Sequence, residues 1–159
     1  MSKSDDQAAQ HDAKKSATSS PKTRCHSKAG NTTATPKTFA DLCRLAAILR
    51  SPEGCPWDRK QTISSMLKHI DEEVQEVREA IENGDHDNLK EELGDVLFQI
   101  VMIAQIAKEK GYFKMEDVLA EIEHKIVSRH TWVFGDDKVE NAEEALAMWK
   151  ENKKKEKGR

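Results

Sequence analysis

From Thr38 onward, apolar residues recur at helical spacing. Phe39, Leu42, Leu45, Ala46 and Leu49 share one face, Thr38 and Asp41 stand ahead of them as a capping box, and Ser51-Pro52 ends the run. Residues 51–60 hold Gly54, Pro56 and Trp57 and read as a loop, with Asp58 placed to cap the second helix. Ile63, Leu67, Ile70, Val74, Val77 and Ile81 then alternate at four and three residues, one apolar stripe of a longer helix that stops at Asn83-Gly84. Asp87 stands where it can cap a third helix. Its stripe is Leu89, Leu93, Leu97, Ile100, Ala104 and Ala107, widened by Val96 and Ile103 and closed by Gly111. Residues 115–130 predict a fourth helix with Val118, Ile122, Ile126 and Val127 inward. After a turn at Gly135-Asp136, the Asn141/Glu144 capping pattern opens a last helix carrying Leu146, Met148 and Trp149. No segment shows the strict alternation of a strand. The pattern predicts an all-α, four-helix-bundle-like fold.

The first 37 residues break this pattern. They contain no Leu, Ile, Val or Phe, but six Ser, five Thr and six Ala among scattered charges. Such a stretch cannot bury enough apolar area to offset its ordering entropy, so 1–37 reads as a disordered, solvated tail. The folded domain is then 38–155, followed by a short basic tail at 156–159. Charge divides the same way. Residues 1–37 and 150–159 each carry +4, whereas 38–149 carry −11. An acidic domain that handled anionic phosphates would need metal ions between the two, and one without metal would simply be a solvated surface. No apolar run is long enough to span a membrane, and no apolar segment follows the N-terminus as a secretory signal would require. Cys25, Cys43 and Cys55 are odd in number and unlike a zinc motif in spacing, which suits reduced thiols in a cytoplasmic protein.

The second and third helices carry the candidate chemistry. Glu73 and Glu76 are three residues apart, and so are Glu92 and Asp95. Three residues turn a helix by about 300°, so each pair lies on one face. Measured from the centre of each apolar stripe, both pairs fall to the same side and flank the stripe. If the helices are neighbours, four carboxylates can converge. Converging carboxylates repel, and a hard divalent cation relieves that repulsion. Magnesium takes oxygen ligands and favours phosphates as partners. A solvated acidic face is the competing reading, since Glu-rich helices are common. Gly94, mid-helix between Glu92 and Asp95, costs about 1 kcal/mol relative to Ala and suggests close approach of a backbone or ligand.

The order of motifs adds more. Arg50-Ser51-Pro52-Glu53-Gly54-Cys55-Pro56-Trp57-Asp58, Gln61-Thr62, Glu72-Glu73-x-x-Glu76 and Glu92-Leu93-Gly94-Asp95 resemble the MazG-type nucleoside triphosphate pyrophosphohydrolases. The resemblance continues through Lys125-Ile126-x-x-Arg129-His130, Val133-Phe134-Gly135, and Ala142-Glu143-Glu144-Ala145 to Trp149. It implies the all-α NTP pyrophosphatase fold in a homodimer or higher homo-oligomer. It also implies hydrolysis of a nucleoside triphosphate to monophosphate and pyrophosphate. Glu73, Glu76, Glu92 and Asp95 would hold magnesium, with manganese a substitute, and Glu72 would serve as an outer group. Many relatives have Arg-His-Pro-His-Val-Phe where this chain has Arg129-His130-Thr131-Trp132-Val133-Phe134, so the conformation of that turn is open. Many bacterial relatives carry two such domains, and this chain has one.

Other residues have two readings each. Lys125 and Arg129, four apart, are an ordinary surface pair or, as the resemblance favours, a triphosphate clamp. Trp149 stacks on a base, with Lys153 reaching a phosphate, or it buries itself between helices. Trp57 is expected to anchor its loop in a core, Cys55 to be a small buried thiol, and His69 to be structural or peripheral, because magnesium prefers oxygen. Stable nucleic-acid binding is not expected. Two alternatives to the hydrolase are open on the sequence. One is a di-iron or di-manganese carboxylate bundle, for which Glu121-x-x-His124 supplies half of the required pattern. The other is a non-catalytic helical interaction module with an acidic surface.

Overall fold

The computed structural model describes residues 38–158, and every regular element among them is helical. The reading of 1–37 as a disordered tail lies outside the described residues. Helix α1 (Phe39–Leu49) starts where the Thr38 side chain accepts from the Asp41 backbone N–H. In place of the expected loop there is a short helix, α2 (Pro56–Lys60). Proline at its first position needs no backbone partner, which makes this turn inexpensive to start. Gly54 lies just before it. A Cβ there would come within 2.3 Å of the carbonyl oxygens of Ile48 and Leu49, so the chain returns on the end of α1 only with glycine at this position.

Helix α3 (Ile63–Asn83) is capped by Thr62 and Ser65, which exchange side-chain and backbone hydrogen bonds. Asp58 therefore does not cap it; Asp58 lies buried inside α2. Gly84 ends α3 at φ +65°, a conformation that costs glycine nothing. Helix α4 (His86–Glu109) begins at once, and its cap is Asp85, which accepts from Asn88 N–H, with Asp87 in the first turn instead. The tight Gly84-Asp85 turn makes α3 and α4 a hairpin packed along its length. Helix α1 lies against α4. Ala46, Met66, Val101, Met102 and Ile106 form the buried core there, with Leu42, Cys43, Ile63, Phe98, Ile103 and Met115 around it.

Arg50 locks α1, α2 and the end of α4 together. Its guanidinium is almost wholly buried. It holds the Glu109 carboxylate at 2.6–3.0 Å and donates to the carbonyl oxygens of Asp58 and Gln61. The Arg50 hydrogen bond holds the Glu109 carboxyl below the usual carboxylate range.

Helix α5 (Met115–Arg129) touches α4 and pairs with α7 (Ala142–Lys157). Between them the Thr131–Phe134 segment, left open by the sequence, forms a single helical turn, α6. The pattern 118–122–126–127 predicts an inward face. Instead Ile122, Ile126 and Val127 stay exposed, and of these four only Val118 is half-buried, because no other helix among the described residues covers that face. Helix α7 runs on to Lys157, past the expected boundary at 155, and Glu156 in its last turn pairs with Arg129 at 2.7 Å.

Candidate functional site

The α3–α4 seam follows the apolar stripe that periodicity picks out only in part, sharing Ile63, Ile70 and Val77 of α3 with it. The half-buried or buried positions of α3 facing α4 are Ile63, Met66, Ile70, Glu73, Val77 and Ala80. On the first half of α4 they are Leu89, Glu92, Val96 and Gln99. Both lines step by threes and fours, the spacing of a two-helix seam. Leu67, Val74 and Ile81 on α3, with Leu93, Leu97 and Ile100 on α4, remain exposed, Leu67 and Ile81 at 60%. Glu73 and Glu92 therefore do not flank the buried line. They sit within it.

This placement creates the site. One oxygen each from Glu73, Glu92 and Asp95 can be chosen so that all lie within 4.8 Å of one another. Glu76 is exposed and outside that tightest group, yet close enough for its carboxylate to act on Glu92. Glu92 is only 7% exposed, and its Oε2 is buried without a hydrogen-bond partner. Burial, the adjoining Glu76, and then Asp95 and Glu73 push its carboxyl above the usual range. Burial and then Asp95 push Glu73 up as well, while a hydrogen bond from the Gln99 amide, at 3.2 Å to Oε1, works against the rise. Sequence reasoning did not single out Gln99. Its position four residues past Asp95, one turn along the same helix, was the available signal.

A buried polar atom left unpaired is costly, and adjacent carboxylates add repulsion. A hard divalent cation resolves both, and the donor set offered is all oxygen. The residues present therefore fit such an ion. Gly94 has nothing within 4 Å of where its Cβ would be. Of the two approaches expected there, that of a backbone is not made by any of the described residues, and the space beside Gly94 is open.

Glu72 lies at the edge, largely exposed, with Lys68 at 3.4 Å and His69 at 3.5 Å. His69 is half-buried beside Glu72 and outside the group of Glu73, Glu92 and Asp95. Trp57 does not anchor a core: it is half exposed and meets His69 edge-on, with ring centroids 5.3 Å apart. Cys55 is half-buried at the start of α2, and neither it nor Cys43 is in a disulfide. Glu121 pairs with Lys125 and His124 faces Glu156, so this Glu-x-x-His pair belongs to the α5–α7 side and not to the carboxylate seam.

The candidate substrate cations form a second cluster. Arg129 is held by Glu156 and lies 5.4 Å from the Trp149 ring centroid, and Lys153 lies 4.9 Å from it. Arg129, Lys153 and Trp149 are thus brought together, with Lys125 one turn earlier on α5. Trp149 is half-buried and flanked by these two cations. Helices α5 and α7 pack on each other and not extensively on α3, so the cations and the carboxylates form separate groups within this chain.

The sequence signature of the MazG nucleotide pyrophosphohydrolase domain matches residues 61–134, a span that includes all four acids. A crystal structure of a mazG-related protein from Thermotoga maritima superposes with a TM-score of 0.62 at 34% identity, covering 72% of this chain and 98% of that one. The chain belongs to the MazG family. Among MazG relatives, the nucleoside triphosphate pyrophosphohydrolase/pyrophosphatase MazG of Thermotoga maritima is 46% identical over 121 residues, 76% of this chain and 46% of its own. The uncharacterized protein YabN of Bacillus subtilis is 49% identical over 119 residues, 75% of this chain and 24% of its own. The chain thus spans less than half the length of these two MazG relatives. Among the described residues no helix is long and apolar enough to cross a membrane.

Proposed function

We propose that this chain hydrolyses nucleoside triphosphates, ribo- or deoxy-, to nucleoside monophosphate and pyrophosphate in a magnesium-dependent reaction. The observation that carries this reading is the buried, unpartnered Oε2 of Glu92 among Glu73, Glu76 and Asp95. A helix pair that placed carboxylates in its seam for stability alone would lose by it. The names of relatives such as the Thermotoga MazG supply the substrate class.

In this reading Glu73, Glu76, Glu92 and Asp95 hold the ion, with Glu72 an outer group. When bound there, magnesium, or manganese in its place, would supply positive charge to phosphate oxygens and would lower the pKa of a bound water. The protein's part is to hold the carboxylates in register on two packed helices, where burial and mutual repulsion favour a cation between them. Lys125 and Arg129 bind the outer phosphates and offset charge on departing pyrophosphate. Trp149 stacks on the base, and Lys153 reaches a phosphate one turn away. Within one chain these groups are apart. We therefore place the working site in a homodimer or higher oligomer, whose formation would also cover the exposed stripes of α3, α4 and α5. The reduced thiols suit a cytoplasmic setting.

A substrate panel with pyrophosphate detection tests this. The expected result is pyrophosphate release that requires magnesium and stops with chelator. Release of orthophosphate only, or no turnover on any nucleoside triphosphate, sinks the proposal. An iron-dependent visible spectrum would instead favour the di-iron or di-manganese carboxylate bundle, and the placement of His124 away from the seam weighs against it.

A further inference from the structure

We propose that Gln99 is a positioning residue of the metal site, fixing the Glu73 carboxylate through a hydrogen bond without neutralising it; this rests on the metal-site reading above. Gln99 occupies a seam position of α4, where a side chain packed against α3 would ordinarily be apolar. Its amide Nε2 reaches across the seam to Glu73 Oε1 at 3.2 Å. An amide in that place costs desolvation unless bonded, and Glu73 provides the bond. Gln99 also continues the line of Glu92 and Asp95 on α4, so one helix face supplies two carboxylates and the group that orients a third.

The choice of a neutral donor is the informative feature. A Lys or Arg reaching Glu73 would orient the carboxylate but cancel its charge, and the cation would lose a full ligand charge. An amide orients the carboxylate and leaves the whole charge available. Holding Oε1 also restricts rotation of the carboxylate, leaving less entropy to be lost when the ion binds. Groups that orient metal ligands in this way typically change affinity by about 10- to 100-fold when removed.

The test is manganese binding to the full-length chain without nucleotide, measured by electron paramagnetic resonance of the free ion. Gln99→Met keeps length and volume but removes the donor. Gln105→Met is the matched control, since Gln105 lies on the same helix and donates to Glu109 at 2.9 Å, away from the carboxylates. The expected result is a manganese Kd raised about tenfold or more in Gln99→Met. Gln105→Met should match wild type, and the metal-free melting temperature of Gln99→Met should stay within a few degrees. A Gln99→Met affinity within twofold of wild type overturns the inference. So does an equal loss in Gln105→Met, which would signal general loosening of α4. If Gln99→Met fails to fold, Gln99→Asn is read in its place by the same thresholds, because its amide falls a methylene short of Glu73. A wild-type chain that binds no manganese overturns the metal-site reading itself, a result distinct from an unchanged variant.

Discussion

Replacing Glu73 with Gln should make the metal-free protein more stable and nearly inactive, a combination that a structural residue would not give. The substitution keeps shape and leaves a side-chain carbonyl for the Gln99 amide. What it removes is a charge raised in energy first by burial and next by Asp95. Two unit charges at the 4.8 Å limit of this group repel by about 1 kcal/mol in water and roughly 3.5 kcal/mol at an effective dielectric of about 20. Glu73 is only partly buried, so solvent screening places the gain near the lower figure, about 1 kcal/mol. For a domain of this size that is a rise of about 3–5 °C in melting temperature. Turnover should fall on the order of a hundredfold or more as one metal ligand is lost, and excess magnesium should restore part of it. The assay pairs calorimetry, with and without magnesium, with pyrophosphate release. Wild type should be stabilised by magnesium and the variant much less so. A variant that melts lower in proportion to its lost activity, or one that works within tenfold of wild type, refutes the reasoning.

The same structure sets four further outcomes. Arg50→Met should cost about 2–4 kcal/mol, read by denaturant unfolding, because it takes a buried charged donor from the Glu109 carboxylate, which keeps only the Gln105 amide and solvent, and from the Asp58 and Gln61 carbonyls; a change under about 0.5 kcal/mol would show that the α2 segment is held otherwise. The carboxyls of Glu73 and Glu92 are raised in the folded chain, so their contribution is fully present below the ordinary carboxylate range and is lost as pH rises through their folded values. Metal-free protein should therefore melt higher at mildly acidic pH than at neutral pH, until the lowered Glu109 and Glu156 protonate below that range and reverse the trend; a metal-free melting temperature that climbs steadily from mildly acidic to neutral pH would contradict this. Lys125→Ala should weaken triphosphate binding more than monophosphate binding at unchanged stability, whereas Arg129→Ala should do so while also lowering the melting temperature, since Glu156 and Trp149 lose a partner; equal weakening for both nucleotides would assign these cations to structure alone. Light scattering at micromolar concentration should show at least a dimer, with activity falling on dilution, and a fully active species of one chain's mass would sink the shared-site reading.

Helix ends were legible in the sequence because capping is local. Thr38, Asn141, Asn83-Gly84 and Gly111 act through neighbours a few residues away, and each stands where a helix begins or ends. The motif order likewise identified the family without reference to any contact. The misplaced caps, Asp58 and Asp87, show the limit of local reading: a better-positioned Thr62 or Asp85 was available within four residues, and only the path of the chain chose between them.

Which face of α3 and α4 is buried was decided by tertiary structure. Periodicity centres a helix on its most apolar residues, so it placed Leu67, Val74, Leu93 and Leu97 inward and the carboxylates beside them. The fold turns the seam toward the adjacent line, keeping Ile63, Ile70 and Val77 but burying Met66 and Ala80, taking Glu73 and Glu92 inside, and leaving Leu67, Val74, Ile81, Leu93 and Leu97 exposed. An amphipathic pattern states that a face will be covered, but not whether the same chain covers it. That depends on how α1 docks on α4 and on the length of the Gly84-Asp85 turn, which together set the rotation of each helix in the hairpin. The sequence thus determined that the carboxylates share a face. The burial of Glu92, the half-burial of Glu73, the unpaired Oε2 of Glu92 and the Gln99 hydrogen bond exist only because two helices meet at that rotation.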